Sequence, residues 1–272
     1  MTHNEPIGIF DSGVGGLTVM REIMRRLPNE NLIYFGDTAR VPYGSKSKDT
    51  IGKYSGQIVR FLKTKNVKAI VIACNTASSL ALDDLRKKSD LPIIGVVEPG
   101  AVMAAKTTQT QVVGVIGTVS TIKSQIYNRK LMAINPEITL ISKACPLFCP
   151  LVEEGLLEDR VTEDIASRYL HELKEYDLDT LILGCTHYPL LRHTIARIMG
   201  ESVHLINPAY ETAKFLKEEL EEKDLLRKGE VSLDDVRYEY YVSDGEERFV
   251  SFADSVLSCD VKEATQINIE EY

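Results

Sequence analysis

Residues 70–79 read IVIACNTASS: an apolar run that stops at Cys74 and gives way to small polar residues. Residues 181–190, LILGCTHYPL, repeat the design, with Cys185 where the second run ends. A short apolar run bounded by polar residues reads as a strand buried on both faces, the condition of a parallel sheet. A cysteine by itself is usually a small core hydrophobe. Two of them at equivalent strand ends, each followed by a small polar residue, call for a different reading.

On either side of these stretches, PIGIF, NLIYF, KAIVIA and LPIIGVV read as strands in the first half, and QVVGVIG, EITLIS, DTLILG and SVHLI in the second. Between them lie stretches of helical periodicity: 16–27, 49–65, 77–88, and others starting near Ser120, near Thr162 and after Pro189. This alternation predicts βαβ units and parallel sheets covered by helices on both faces. Three pairs of segments match in the same order at a spacing of about 110 residues: IGIFDS with VGVIGT, IVIACNT with LILGCTH, and VVEPG with LINPA. A repeat of that length is one small domain written twice. The tail, with strand-like RYEYYVS and helix-like ERFVSFADSVL, has no counterpart and is expected to return to the first half. The expected architecture is therefore α/β, with two pseudo-symmetric doubly wound parallel-sheet domains. Residues 1–98 plus 208–272 would form the first, carrying Asp11 and Cys74, and residues 99–207 the second, carrying Cys185.

Ligands of open parallel sheets bind beyond the carboxyl ends of the strands. Two such ends facing each other across a cleft would put Cys74 and Cys185 on opposite walls. One thiol could then remove a proton from one face of a carbon while the other delivers a proton to the opposite face, which inverts a stereocentre. A strand-to-helix junction also favours the thiolate through the helix dipole, so both cysteines are expected to have lowered pKa values. Asn75, Thr76, Thr186 and His187 supply donors suited to a carboxylate. His187, two residues after Cys185, is placed to handle or orient a proton, whereas His3, His171, His193 and His204 have no such context. Asp11, after the first strand in FDSGVGG, suits an ammonium group. The glycines there do not have dinucleotide-binding spacing.

Composition narrows the alternatives. The chain has 272 residues, 44% hydrophobic and 26% charged, with a formal net charge of −8. No basic cluster suggests a nucleic-acid groove, and the run KFLKEELEEKDLLRK at 214–228 reads as a solvated helix face. No segment approaches the ~18 apolar residues of a membrane span. MTHNEPIGIF lacks the pattern of a signal peptide, and the first strand begins so early that no N-terminal extension is expected. Five cysteines argue for reduced thiols and a cytoplasmic location rather than a disulfide framework. A zinc site would need ligand pairs at short spacing. Cys145 and Cys149, in CPLFC, are the only close pair; with apolar residues between them they are assigned to core or loop packing, and Cys259 to structure. No metal is expected.

FDSGVGG, VPYG, ACNTAS and GCTHYPLL, in this order along nearly the whole chain, resemble the motifs of the glutamate racemases, within the wider group of two-cysteine aspartate and glutamate racemases. That resemblance implies cofactor-independent interconversion of L- and D-glutamate for peptidoglycan synthesis and cell shape, with Cys74 and Cys185 as the acid/base pair. It implies substrate contacts at Asp11, Ser12, Tyr43, Gly44, Asn75, Thr76, Thr118, Thr121, Thr186 and His187. It further implies an acidic partner at Glu153 near the second cysteine, and a homodimer. Thr-His after the second cysteine, where aspartate racemases typically have Thr-Glu, favours glutamate. Two other classes compete. A Cys/His hydrolase or acyl transferase would need only one thiol. A two-lobed amino-acid-binding module would bind glutamate without exchanging its α-proton.

Overall fold

The computed structural model describes residues 3–229, 231–257 and 259–272. The chain runs β1 (Ile7–Asp11), α1 (Leu17–Arg26), β2 (Leu32–Gly36), α2 (Lys48–Thr64), β3 (Ala69–Ile72), α3 (Asn75–Leu80), α4 (Leu82–Lys87), β4 (Ile93–Gly95) and α5 (Val97–Thr107). It continues through β5 (Val112–Gly117), α6 (Val119–Lys123), α7 (Ile126–Ile134), β6 (Thr139–Ala144), α8 (Phe148–Glu153), α9 (Arg160–Leu170), β7 (Thr180–Gly184), α10 (Arg192–Met199) and β8 (His204–Ile206). It closes with α11 (Pro208–Glu222), β9 (Tyr238–Val242), α12 (Glu246–Val256) and β10 (Thr265–Gln266).

Among the described residues every strand pairing is parallel, and the strands form two sheets. The first has the order β10-β9-β2-β1-β3-β4, the second β6-β5-β7-β8. The order β2-β1-β3-β4 recurs as β6-β5-β7-β8, so the repeat seen in the sequence is a repeat of topology. Of the central strands, β1, β3 and β7 are buried along their whole length and β5 from Val113 onward, as continuous apolar runs require. The tail does return to the first sheet, where β9 pairs with β2.

Helices cover both faces of the first sheet. One face packs Leu17, Met20 and Ile23 of α1 with Leu216 and Leu220 of α11; the other packs Ile58, Phe61 and Leu62 of α2. In the second sheet, Val97, Ala101 and Ala104 of α5 lie against Val113, Val115 and Ile182. The matched segments VVEPG and LINPA meet where the chain crosses between sheets, and a Cβ on Gly100 would lie 3.1 Å from the Pro208 ring.

The helices differ from expectation in three places. The stretch 77–88 is two short helices that break at Ala81. The helix starting near Ser120 breaks at Gln125, whose φ of 54° is left-handed. After Cys185 the chain makes a 3₁₀ turn, Tyr188–Leu191, with Pro189 at its start, before α10 begins.

Candidate active site

Each sheet reverses its strand order between its two central strands, β1/β3 in the first and β5/β7 in the second, and a crevice opens beyond the carboxyl ends at such a switch point. Asp11 ends β1 and Cys74 follows β3; Thr118 follows β5 and Cys185 follows β7. The two crevices merge into one cavity of about 350 Å³, of the size that holds small ligands. Both thiols line it, together with Ser12, Tyr43, Gly44, Asn75, Thr76, Thr118, Thr186, His187 and Glu153. No Lys or Arg is among the lining residues, so an anionic ligand meets hydroxyls, amides, backbone N–H groups and an imidazole.

On the first wall, Cys74 caps α3 and its Sγ accepts from the Ala77 N–H at 3.5 Å. The Ser12 hydroxyl lies 3.7 Å from the same sulfur. Asp11 sits below this wall rather than in the cavity lining: Oδ2 accepts from the N–H groups of Gly13 and Gly16, both at 3.0 Å, and Oδ1 is buried without a hydrogen-bond partner. Burial raises its pKa. The Asn75 Oδ1 accepts from the Tyr127 hydroxyl of the opposite lobe at 2.7 Å, which leaves the amide NH₂ for the cavity.

On the second wall, His187 bridges two groups. Its Nδ1 lies 3.7 Å from Cys185 Sγ and its Nε2 lies 2.9 Å from Glu153 Oε1. Burial disfavours the imidazolium, but the contacts with Cys185 and Glu153 and the nearby Asp11 charge outweigh it, and the pKa is raised to about 10. The Glu153 carboxyl is held below its usual value by the hydrogen bond to His187, against the opposing effect of burial. Glu154 does not reach His187; it meets Arg248 at 3.4 Å, and Arg248 also lies 3.6 Å from Glu153 Oε2.

Hydrogen bonds tie the walls together. The Thr76 and Thr118 hydroxyls are 2.9 Å apart, and Thr121 bonds to Thr118 at 3.0 Å. Thr121 is buried behind Thr118, outside the cavity lining, where its hydroxyl supports the Thr76–Thr118 contact. Ser120 donates to the Gly44 carbonyl at 2.8 Å, and Thr18 donates to the Thr186 carbonyl at 2.8 Å. A Cβ on Gly44 would lie 2.9 Å from Thr118, so only glycine permits that approach. The loop bearing Tyr43 and Gly44 is held from behind: the Tyr43 hydroxyl donates to Asp37, and Arg40 bridges Asp37 and Glu270, both at 2.8 Å.

Two expectations need correction. The thiols are not acidic. Burial and the Asp11 charge push the Cys74 pKa up to about 12, and contact with Cys149 together with burial raises that of Cys185 well above normal. Desolvation in a closed cleft outweighs the dipole of α3, which is only six residues long, and no α-helix begins directly at Cys185. Cys149 is also not mere packing: its Sγ lies 3.5 Å from Cys185 Sγ, and it lines the cavity. It stands four residues before Glu153, so α8 presents both to His187 and Cys185 from one face; that spacing was the available signal. Cys145 is core, and Cys259 packs against Tyr240. Tyr127 and Thr18 carried no motif and were also missed.

The chain matches the family model Asp/Glu/hydantoin racemase over residues 7–216. It is 47% identical over 264 residues to a glutamate racemase of Geobacter metallireducens, covering 97% of each chain. Among solved structures it resembles the glutamate racemase of Francisella tularensis in complex with D-glutamate, with a TM-score of 0.92, 38% identity, and coverage of 99% of this chain and 100% of that one. It likewise resembles the Thermus thermophilus glutamate racemase in complex with β-chloro-D-alanine, with a TM-score of 0.90, 42% identity and full coverage of both chains.

Proposed function

The chain belongs to the Asp/Glu/hydantoin racemase family, and from that membership we propose that Cys74 and Cys185 are the two acid/base groups with which it racemises glutamate. Glutamate racemisation is the activity named for its full-length relatives, and the aspartate alternative is not favoured. One observation carries the residue assignment: thiols from equivalent strand ends of the two sheets line a single cavity.

An α-proton next to a carboxylate is far less acidic than a thiol, so the site must stabilise a developing carbanion. The donors on both walls, Ser12, Asn75, Thr76, Thr118, Thr186 and backbone N–H groups around Gly44, are suited to hold the two carboxylates. Cross-lobe hydrogen bonds exclude water, which strengthens each of those contacts. Each thiol needs help to ionise. His187, held as imidazolium by Glu153, stabilises the thiolate of Cys185 through Nδ1–H. Asp11, buried behind the Cys74 wall with Oδ1 unpartnered, serves the Cys74 side by taking a proton or by placing its charge behind the substrate ammonium. Tyr43 shapes the cavity wall and is locked by Asp37. The cycle is then symmetric: one thiolate takes the α-proton, the other thiol returns a proton to the opposite face, and their protonation states exchange. No step needs a cofactor.

Supply of D-glutamate for peptidoglycan and cell shape, a homodimeric state and a cytoplasmic location belong to the proposal on the strength of family membership. Two lobes, with crossings near residues 98 and 208, are its structural frame. No helix among the described residues is long and apolar enough to cross a membrane.

The direct test is a pair of variants, Cys74→Ser and Cys185→Ser. Loss of glutamate racemisation in both supports the two-thiol reading. Full activity in either one overturns it and favours a one-thiol enzyme.

A further inference from the structure

The second wall holds more sulfur than a two-thiol reaction requires. Cys149 is not needed to move a proton, yet its Sγ is 3.5 Å from Cys185 Sγ, and Cys185 Sγ is 3.7 Å from His187 Nδ1. The three ligand atoms all lie within 4.8 Å of one another. Zinc binds thiolates at about 2.3 Å and imidazole at about 2.0–2.1 Å in tetrahedral geometry, which places neighbouring ligand atoms about 3.5–3.8 Å apart. The Sγ–Sγ and Sγ–Nδ1 separations of 3.5 and 3.7 Å fall in that range, and the third pair, within 4.8 Å, reaches it by a small side-chain adjustment. The side chains are also oriented as metal ligands are: the far nitrogen of His187 is bound to Glu153 at 2.9 Å, which leaves Nδ1 as the coordinating atom. All three residues line the cavity, so a fourth coordination position faces its interior.

We propose that Cys149, Cys185 and His187 form a tetrahedral site for a borderline-soft divalent cation, Zn²⁺, with its fourth position open to water. Binding displaces the thiol protons and any proton on Nδ1 to solvent, forms two Zn–S bonds and one Zn–N bond, and moves no electrons. Because the site consumes Cys185, metal and substrate exclude each other: zinc is a reversible inhibitor, not a cofactor. That inhibitory consequence rests on the role of Cys185 proposed above; the metal site itself does not.

The test uses the full chain, reduced and metal-free, titrated with Zn²⁺ in competition with a chromogenic chelator and in parallel with Co²⁺ followed by absorption. The expected result is one ion per chain, with intense thiolate-to-cobalt charge transfer that L-glutamate suppresses. Cys149→Val removes one sulfur at similar volume. It should weaken Zn²⁺ binding by more than the ~10–100-fold that loss of a supporting partner costs, and Glu153→Gln should fall within that range. Half-inhibitory Zn²⁺, taken against each variant's own metal-free rate, should rise in parallel. No charge-transfer absorption, or unchanged Zn²⁺ affinity in folded Cys149→Val, overturns the proposal. A silent metal titration together with a peroxide-driven, reductant-reversible Cys149–Cys185 disulfide would reassign the pair to redox chemistry. A chain that binds Zn²⁺ but does not racemise glutamate refutes the functional reading and leaves the metal site standing.

Discussion

Gly15 and His187 approach so closely across the lobe boundary that a Cβ on the glycine would lie 2.4 Å from the imidazole Nδ1 and 2.5 Å from the Thr186 hydroxyl. The glycine is therefore part of how the second thiol is set. The absence of one methyl group lets the loop after β1 seat against the His187 ring and fixes its distance to Cys185.

Gly15→Ala should displace His187. We expect a stability loss of about 1–3 kcal/mol from overpacking and, if His187 has the proposed role beside Cys185, a fall in kcat of about 100-fold from its misplacement. Denaturant unfolding and steady-state racemisation check the two effects separately.

This contact also marks the limit of what the sequence revealed. The strand ends at Cys74 and Cys185 and the duplicated order of strands were legible, because buried parallel strands are short apolar runs with sharp polar ends. The contacts between lobes were not. Gly15 on His187, Tyr127 on Asn75 and Thr18 on Thr186 join residues with no shared periodicity, and only closure of the cleft brings them together. The same closure reverses the expected acidity of the thiols, since local position relative to a helix says nothing about desolvation. Cys149 is hidden in the sequence because its partner Cys185 is 36 residues away, and only the packing of α8 brings the two sulfurs to 3.5 Å.

The raised pKa of Cys74 gives a pH prediction. A thiol pushed up to about 12 holds only about one part in 10⁵ as thiolate at pH 7. The thiolate fraction grows as pH rises, so alkylation of Cys74 by iodoacetamide should accelerate about tenfold per pH unit through pH 10. An ordinary thiol near 8.5 would by then have levelled off. Peptide mass spectrometry of the substrate-free protein resolves this cysteine from the other four.

Glu153→Gln tests the imidazolium. The amide keeps an acceptor for Nε2–H but loses the negative charge that strengthens that bond and raises the His187 pKa, so the pKa should fall from about 10 toward its ordinary value. If the imidazolium is the working form, the alkaline limb of kcat/KM moves to lower pH. The loss at neutral pH should be about tenfold, less than the ~10²–10⁴ that a direct proton-transfer group supplies. Enantiomers have equal free energy, so kcat/KM must fall by the same factor in both directions even though the change lies on one wall. A merely structural effect would lower activity without moving the limb.

Thr118→Ala removes the hydroxyl that meets Thr76 across the cleft at 2.9 Å and accepts from the Thr121 N–H at 3.2 Å. Each lost hydrogen bond costs about 0.5–1.5 kcal/mol. We expect KM for glutamate to rise about tenfold, with a smaller change in kcat, because closure and ligand grip are weakened while both thiols stay in place. Initial rates over a range of L-glutamate concentrations separate the two.

Two thiols acting on opposite faces of one carbon would leave an isotopic signature. The most direct measurement incubates the purified protein with L-glutamate in deuterium oxide, without added cofactor, and follows circular dichroism and Cα deuteration at early turnover. A two-thiol site removes the proton from one face and returns deuterium to the other, so deuterium should appear in the D-glutamate formed and not in recovered L-glutamate. Deuterium appearing equally in recovered substrate and product, or no exchange at all, would contradict it.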